Sequence, residues 1–504
     1  MNSAEYHEKT SYRRYGLKGH FLDFKNRPDV FKTYPHTELY RLPEINESKA
    51  RDFSNLIRKD RAHKEKALTL DIVKLSRILL LTGGITARAR HPDGDFYYRS
   101  IPSAGALYPA EIYLAANGIH GLKDGLYHFS IAQHALAVLR RGIFPIDLKE
   151  TSTSSNHKNP LITFFLSAIF FRSAWKYRDR SYRYHLLDTG HLLENLLMAL
   201  ESSGCEAVLS YDFADSEINH LLGLDETKEA CLCLCHVQGK GAFQEEVTQK
   251  IEELPEPFKI TSRVAKEETD YPLVREMHTA GSAVTSPKDP EHGMLSEIGP
   301  QPENWKKIRT PASWPEVISY PENVLRRRSS RNFVKAPITK EALAALFGSL
   351  CARSSGKSEE ASKISNTLCV GFLIGNAGGS APGFYLLDMR SQSIGMAASG
   401  TFTGHMAHTC LDQAWLSGAA VHFLFMSNLN KLDQRWGPRG YRYAMMTAGR
   451  LGQNLYLATT AMGLGCCGIG AFYDTEAADL LGLNRETRLL YLVAAGPVKS
   501  LINR

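Results

Sequence analysis

Between residues 183 and 203 the apolar side chains Leu186, Leu187, Leu193, Leu196, Leu197 and Leu200 recur at spacings of three and four, the period of one helix face. Leu192 and Met198 widen that face, which suits a helix packed on both sides. Met445, Leu451, Leu455 and Leu457 mark a second helix of the same kind. Each run stops at a glycine, Gly204 and Gly463, where a helix C-terminus favours a left-handed residue. Around them, short aromatic and aliphatic runs predict strands at 111–115, 125–129, 383–385, 419–426 and 488–495. The apolar run 161–171 is interrupted by Thr163 and Ser167 and falls short of the ~18 residues of a membrane helix. It predicts a buried strand or short helix, and the whole pattern predicts an α+β fold.

The pattern occurs twice. Tyr182, Arg183, Tyr184, Gly190, Asn195, Gly204 and the run Leu221, Leu222, Gly223, Leu224 return 259 positions later, from Tyr441 (441 − 182) to Leu483 (483 − 224). Solenoid repeats have periods of roughly 20 to 50 residues, so this is a duplicated domain. A chain of 504 residues suits two to three domains of ~100 to 200 residues, and the repeat selects two, 1–240 and 322–504. The intervening 241–321 is rich in Glu, Lys and Pro and reads as a linker. Its length suits a chain crossing from the end of one copy to the start of an interlocked second copy.

Composition narrows the class. With 43% hydrophobic and 22% charged residues, disordered and fibrous classes are excluded. The net charge of +7 is scattered, so no basic stripe points to a nucleic-acid partner. The polar N-terminus has no signal-peptide core, and a cytoplasmic protein with no membrane partner is expected. The nine cysteines form no C-x-x-C pair. Cys231, Cys233 and Cys235 alternate, which places three thiols on one strand face where small apolar residues belong; no metal site is expected.

Three segments carry candidate chemistry. Arg326, Arg327, Arg328, Ser329, Ser330 and Arg331 precede a helix expected from about Thr339, and clustered guanidinium forks and hydroxyls suit a dianionic phosphate. The 102–109 segment holds Pro102, Ser103, Ala104, Gly105 and Ala106 before Leu107, Tyr108 and Pro109, a stiff loop of small residues that lets a flat ring approach the backbone. Gly465, Gly468, Ile469 and Gly470 follow the second long helix and present backbone N–H groups to a ring or an anion. Their spacing is not that of a dinucleotide-binding fingerprint.

Together these segments resemble the nitroreductase superfamily of flavoproteins, and most closely its SagB-type branch of thiazoline and oxazoline dehydrogenases. The resemblance spans nearly all of both halves outside the linker. It implies two tandem nitroreductase-like domains, each a mixed or antiparallel sheet flanked by helices, forming an intrachain pseudo-dimer. It also implies FMN as cofactor, with Arg327, Arg328, Ser329 and Arg331 on the phosphate and the 102–106 and 465–470 segments beside the ring. Where standard nitroreductases carry Asn, this chain has Ala106, which speaks against their nitro-reducing activity.

Family dimers hold each FMN with contacts from both chains. Here the first copy has Cys205 to Leu209 in place of the glycines, and the second has Ile364 to Leu368 in place of the loop, so one composite flavin site is implied. Lys9, Ser11 and Arg13 retain a resemblance to a second phosphate segment. Lys176 and Tyr177 resemble the catalytic pair of azoline dehydrogenases, with lysine as base if desolvated and tyrosine as proton relay. The other reading of that pair is structural, at a helix start. The second copy has Arg435 and Trp436 there. The resemblance thus implies two-electron chemistry on a small molecule or peptide heterocycle. The alternatives are an NAD(P)H-dependent nitro or quinone reductase and a flavin-binding pseudoenzyme.

Overall fold

In the computed structural model, residues 1–17, 19–45, 53, 56, 70–91, 94–142, 160–238, 254–284, 288, 292–309, 314, 318–354 and 364–499 are described. The chain forms two units. A C-terminal unit gathers Met1–His20, Arg51–Lys59 and Thr285–Arg504, and an N-terminal unit gathers Phe21–Ala50 and Asp60–Val284.

The N-terminal unit contains β1 (Leu39–Arg41), β2 (Ile85–His91), β3 (Gly94–Arg99), β4 (Ala110–Ala116), β5 (Gly125–Ser130), β6 (Ala135–Arg141), β7 (Ile162–Ile169), β8 (Ala207–Ser210) and β9 (Glu229–Val237). Seven of them form an antiparallel sheet in the order β1-β6-β5-β4-β7-β9-β8, and β2 and β3 form a hairpin beside it. The C-terminal unit contains β10 (Trp305–Lys307), β11 (Cys369–Ile374), β12 (Gly383–Asp388), β13 (Ser393–Ser399), β14 (Val421–Asn428), β15 (Gly465–Ile469) and β16 (Thr487–Gly496). Its sheet, also antiparallel, runs β10-β13-β12-β11-β14-β16-β15, the same order strand for strand. The duplication is therefore one of topology as well as sequence, and the fold is α+β, as the apolar pattern predicts.

All five predicted strands are present, and the 161–171 run splits into both expected alternatives. Ile162–Ile169 is β7, and the helix Phe170–Tyr177 begins at the next residue. The long helices are Ser181–Ser202 and Arg439–Ala461, each followed by its left-handed glycine, Gly204 at φ +75° and Gly463 at φ +67°. The first packs on the helix Ile72–Gly83 and also on β4 and β7, which is why apolar residues spread around it. The repeated asparagine explains itself too. Asn195 donates to the carbonyls of Leu81 at 3.1 Å and Thr82 at 3.3 Å, and Asn454 to that of Ser349 at 2.7 Å, so each long helix is pinned to its neighbour by a buried amide.

Part of the Pro-rich segment is helical: Glu256–Ile260 and Pro272–Ala280 in the N-terminal unit, Tyr320–Arg326 in the C-terminal one. Proline occupies the first turn of all three, where its missing N–H has no partner to lose. Residues 305–307 add edge strand β10. The helix Ser3–Lys9 belongs to the C-terminal unit, where His7 bridges the Tyr441 hydroxyl at 3.0 Å and Asp474 at 3.1 Å. Cys231, Cys233 and Cys235 are buried in β9 and form no disulfide. No helix among the described residues is long and apolar enough to cross a membrane.

Candidate active site

In the N-terminal unit the chain leaves β3 and turns through the 102–109 loop before entering β4. Gly105, Ala106 and Tyr108 all take positive φ, at +67°, +54° and +47°. Two of these are not glycine, and such backbone persists only where the surroundings over-determine it, which is frequent at functional sites. Ser103 supplies part of the hold. Its hydroxyl donates to the Asp188 carboxylate at 2.5 Å and accepts from the Tyr108 N–H at 2.8 Å.

Lys176 and Tyr177 are the last two residues of the helix Phe170–Tyr177, which ends as Arg178 turns to φ +50°. The expectation of a helix start is corrected: the pair closes the helix, because the chain comes straight off β7 and has only eight residues before it turns. The loop and the pair are neighbours. A Cβ on Gly105 would lie 3.0 Å from the Tyr177 hydroxyl and 3.3 Å from Lys176 Cδ. The Lys176 ammonium lies 5.6 Å from the centre of the Tyr177 ring, and that ring packs on Tyr184 of the long helix at 4.4 Å.

Arg172, one turn earlier, ties both pieces to the sheet. It donates to the Tyr108 carbonyl at 2.9 Å, to Glu111 of β4 at 2.5 Å and to the Asp29 carbonyl at 2.8 Å. Burial alone would raise the Glu111 pKa, but Arg172 and then His128 hold it down to about 2. Nearby, Lys32 and Glu229 form a fully buried ion pair, with Glu229 also accepting from Tyr113 at 2.9 Å, Ser167 at 2.7 Å and Ser262 at 2.8 Å.

The C-terminal unit assembles the other two predicted segments. Residues 327–331 leave the helix Tyr320–Arg326 and run beside β15, with the Ser330 N–H donating to the Cys466 carbonyl at 2.8 Å. Tyr456 of the long helix links them: its hydroxyl contacts Ser329 Oγ at 3.0 Å and accepts the Gly468 N–H at 2.7 Å. The Arg327 guanidinium lies 5.5 Å from the centre of the Tyr456 ring. Arg328 donates to the carbonyls of Leu325 at 2.9 Å and Arg327 at 2.7 Å. The Cys467 thiol has its pKa raised by burial and drawn back by the nearby charge of Arg331.

The glycines of 465–470 have a partly different explanation from the one expected. Gly465 and Gly468 lie in an edge strand, and a Cβ on either would overlap a protein atom, Val498 at Gly465 and the Tyr491 hydroxyl at Gly468. They are small because side chains fill the space over them. Gly468 already donates its N–H to Tyr456, Ile469 is buried, and Gly470 follows the strand. Three guanidinium groups and a hydroxyl within five residues remain a donor set that fits the phosphate of FMN. At the older phosphate-like segment, Lys9 pairs with Glu5 at 2.7 Å, Arg13 with Glu8 at 2.5 Å, and Ser11 donates to the His7 carbonyl at 2.7 Å.

Sequence reasoning passed over Asp188, Tyr456 and Tyr491. Each had a signal in the repeat: 259 positions away stand Thr447, Leu197 and Leu232, so one copy has a carboxyl where the other has a hydroxyl, and two tyrosine hydroxyls where the other has leucine.

The profile of the nitroreductase family matches residues 73–240 and 372–497, one segment in each unit and together more than half of the chain. A protein of Methanocaldococcus jannaschii described as a nitroreductase is 28% identical over 37% of this chain and 90% of its own length. The trifolitoxin-processing protein TfxB of Rhizobium leguminosarum is 27% identical over 38% of this chain, and the match spans 54% of TfxB. A crystal structure of a protein from Anabaena variabilis, likewise described as a nitroreductase, superposes with a TM-score of 0.75 at 24% identity, over 99% of this chain and 100% of that one. At that identity the likeness establishes the fold.

Proposed function

Because this chain belongs to the nitroreductase family, a family of oxidoreductases, we propose that it is an FMN-dependent dehydrogenase of heterocycles in a modified peptide. The observation that carries this reading is the contact of Lys176 and Tyr177 with the strained 102–109 loop at Gly105. Converting an azoline ring to its aromatic azole removes one proton and one hydride. Bound FMN would supply the two-electron acceptor for the hydride. Lys176 Nζ is assigned the proton, and the Tyr177 hydroxyl orients or relays it. Arg327, Arg328, Ser329 and Arg331 are assigned the cofactor phosphate. Pro102, Ser103, Ala104, Gly105 and Ala106, with Gly465, Gly468, Ile469 and Gly470, are assigned the surroundings of the ring.

A peptide substrate is supported by the likeness to a protein named for trifolitoxin processing and by Ala106 in place of the asparagine of standard nitroreductases. The test is anaerobic. Purified protein is expected to carry FMN near one per chain and to lose the oxidised-flavin absorbance on addition of a thiazoline- or oxazoline-containing peptide. Bleaching by NAD(P)H and reoxidation by a nitroaromatic or quinone, with no response to the peptide, would replace this reading with a reductase. Bound flavin that responds to neither would indicate a binding protein.

A further inference from the structure

We propose that Asp188 is the positioning residue that holds the 102–109 loop against Lys176 and Tyr177, and that it holds the loop more weakly once it ionises. The inference rests on the reading of Lys176 and Tyr177 as the proton-handling pair.

Asp188 is buried on the helix Ser181–Ser202. Its Oδ2 accepts from Ser103 Oγ at 2.5 Å, and its Oδ1 lies 3.4 Å from the Ala104 N–H. A serine hydroxyl has one proton; given to Asp188, it leaves a lone pair for the Tyr108 N–H, accepted at 2.8 Å. Asp188, Ser103 and Tyr108 thus form one chain of bonds across the three positive-φ residues. Left-handed backbone costs a residue with a Cβ roughly 1 to 2 kcal/mol, and this chain of bonds supplies the opposing hold. Tyr184, one turn earlier on the same helix, packs on the Tyr177 ring, so a single helix face supports both loop and pair. The duplication provides a control. The other copy has Thr447 at the corresponding position, and it is the copy without the loop.

Burial pushes the Asp188 carboxyl up to about 7, with Ser103 and then Ala104 drawing it back. The titratable side chains on the elements packed here are Tyr184, His185 and His191 on the adjoining turns of its own helix, Tyr108 at the end of the loop, and Lys176 and Tyr177 across Gly105. Burial lowers the His185 pKa to about 3, so that ring is neutral at physiological pH. The sign follows from linkage. A carboxyl whose pKa is raised in the closed arrangement binds its proton more tightly there than when exposed, so closure weakens as pH rises from the ordinary carboxyl value of about 3.9 to about 7 and levels off above it.

The experiment is hydrogen exchange of the 103–108 amides in the full-length protein between about pH 4.5 and 8, spanning the expected transition, corrected for intrinsic rates. Wild type is expected to lose protection with rising pH. Asp188→Asn keeps an acceptor for Ser103 without a charge and is expected to show little pH dependence. Asp188→Ala and Ser103→Ala are expected to raise exchange at every pH, about tenfold or more. Unchanged exchange in both alanine variants, or wild-type pH dependence retained in Asp188→Asn, overturns the proposal. Turnover on a heterocyclic peptide, measured in parallel, separates the two readings. A loop loosened in exchange with normal turnover supports the role of Asp188 in the loop and removes Lys176 and Tyr177 from the chemistry.

Discussion

Gly105 and Tyr177 meet closely: a Cβ on the glycine would stand 3.0 Å from the tyrosine hydroxyl, which would have to give way, on a backbone already at φ +67°. Conformation and packing therefore both favour glycine here. Gly105→Ala is expected to destabilise the N-terminal unit by roughly 1 to 2 kcal/mol and to lower turnover by displacing Tyr177. Thermal unfolding and steady-state kinetics check it; a variant of wild-type stability and rate would show that the loop moves freely away from the pair.

Lys176→Ala separates chemistry from architecture. General acid–base catalysis contributes typically 10²- to 10⁴-fold, so turnover is expected to fall by about that much with flavin content and spectrum unchanged. A variant that lost flavin while its remaining holoprotein turned over normally would place Lys176 in the scaffold.

Arg331→Ala tests the phosphate assignment. A charge-assisted hydrogen bond contributes about 1.5 to 3 kcal/mol, so FMN affinity is expected to fall about tenfold or more. Riboflavin, which has no phosphate, is expected to bind wild type and variant almost equally. Fluorescence titration with both ligands decides it, and equal losses would move Arg331 off the phosphate.

The buried Lys32–Glu229 pair gives a stability prediction with a definite sign. Glu229→Ala leaves a buried ammonium without its carboxylate, a change that typically costs 3 to 5 kcal/mol. Burial would raise the Glu229 pKa, but Lys32 brings it below its ordinary value, and Glu111 lies at about 2. Groups with depressed folded pKa values stabilise above their unfolded values, near 4.3 for Glu, and lose that stabilisation as pH falls through the folded ones. Acid unfolding monitored by circular dichroism is expected to begin below about pH 4.3 and to begin at higher pH in Glu111→Gln.

Much of the fold was legible from periodicity. The helix at 183–203, the strands at 111–115 and 488–495 and the register of the duplication all rest on apolar spacing and repeated glycines, which are local properties of the chain. The helix Ser3–Lys9 was not legible, because its membership of the C-terminal unit depends on His7 meeting Tyr441 and Asp474 more than 430 positions away. Proline composition also left out local detail: inside the segment read as a linker, Pro257 and Pro272 stand in the first turns of short helices.

The candidate site divides in the same way. Sequence alone determined which residue types are present and in which copy: the arginines at 327, 328 and 331, the small residues of 102–106, and Lys176 with Tyr177. Tertiary structure decided their company. It set Gly105 on Tyr177, used Gly465 and Gly468 to admit Val498 and Tyr491, and made Asp188, one of several polar residues in its helix, the acceptor for Ser103. The physical reason is range. Backbone preference and hydrophobic period act over a few residues, whereas a hydrogen bond or a steric contact depends on where distant segments meet when the core closes.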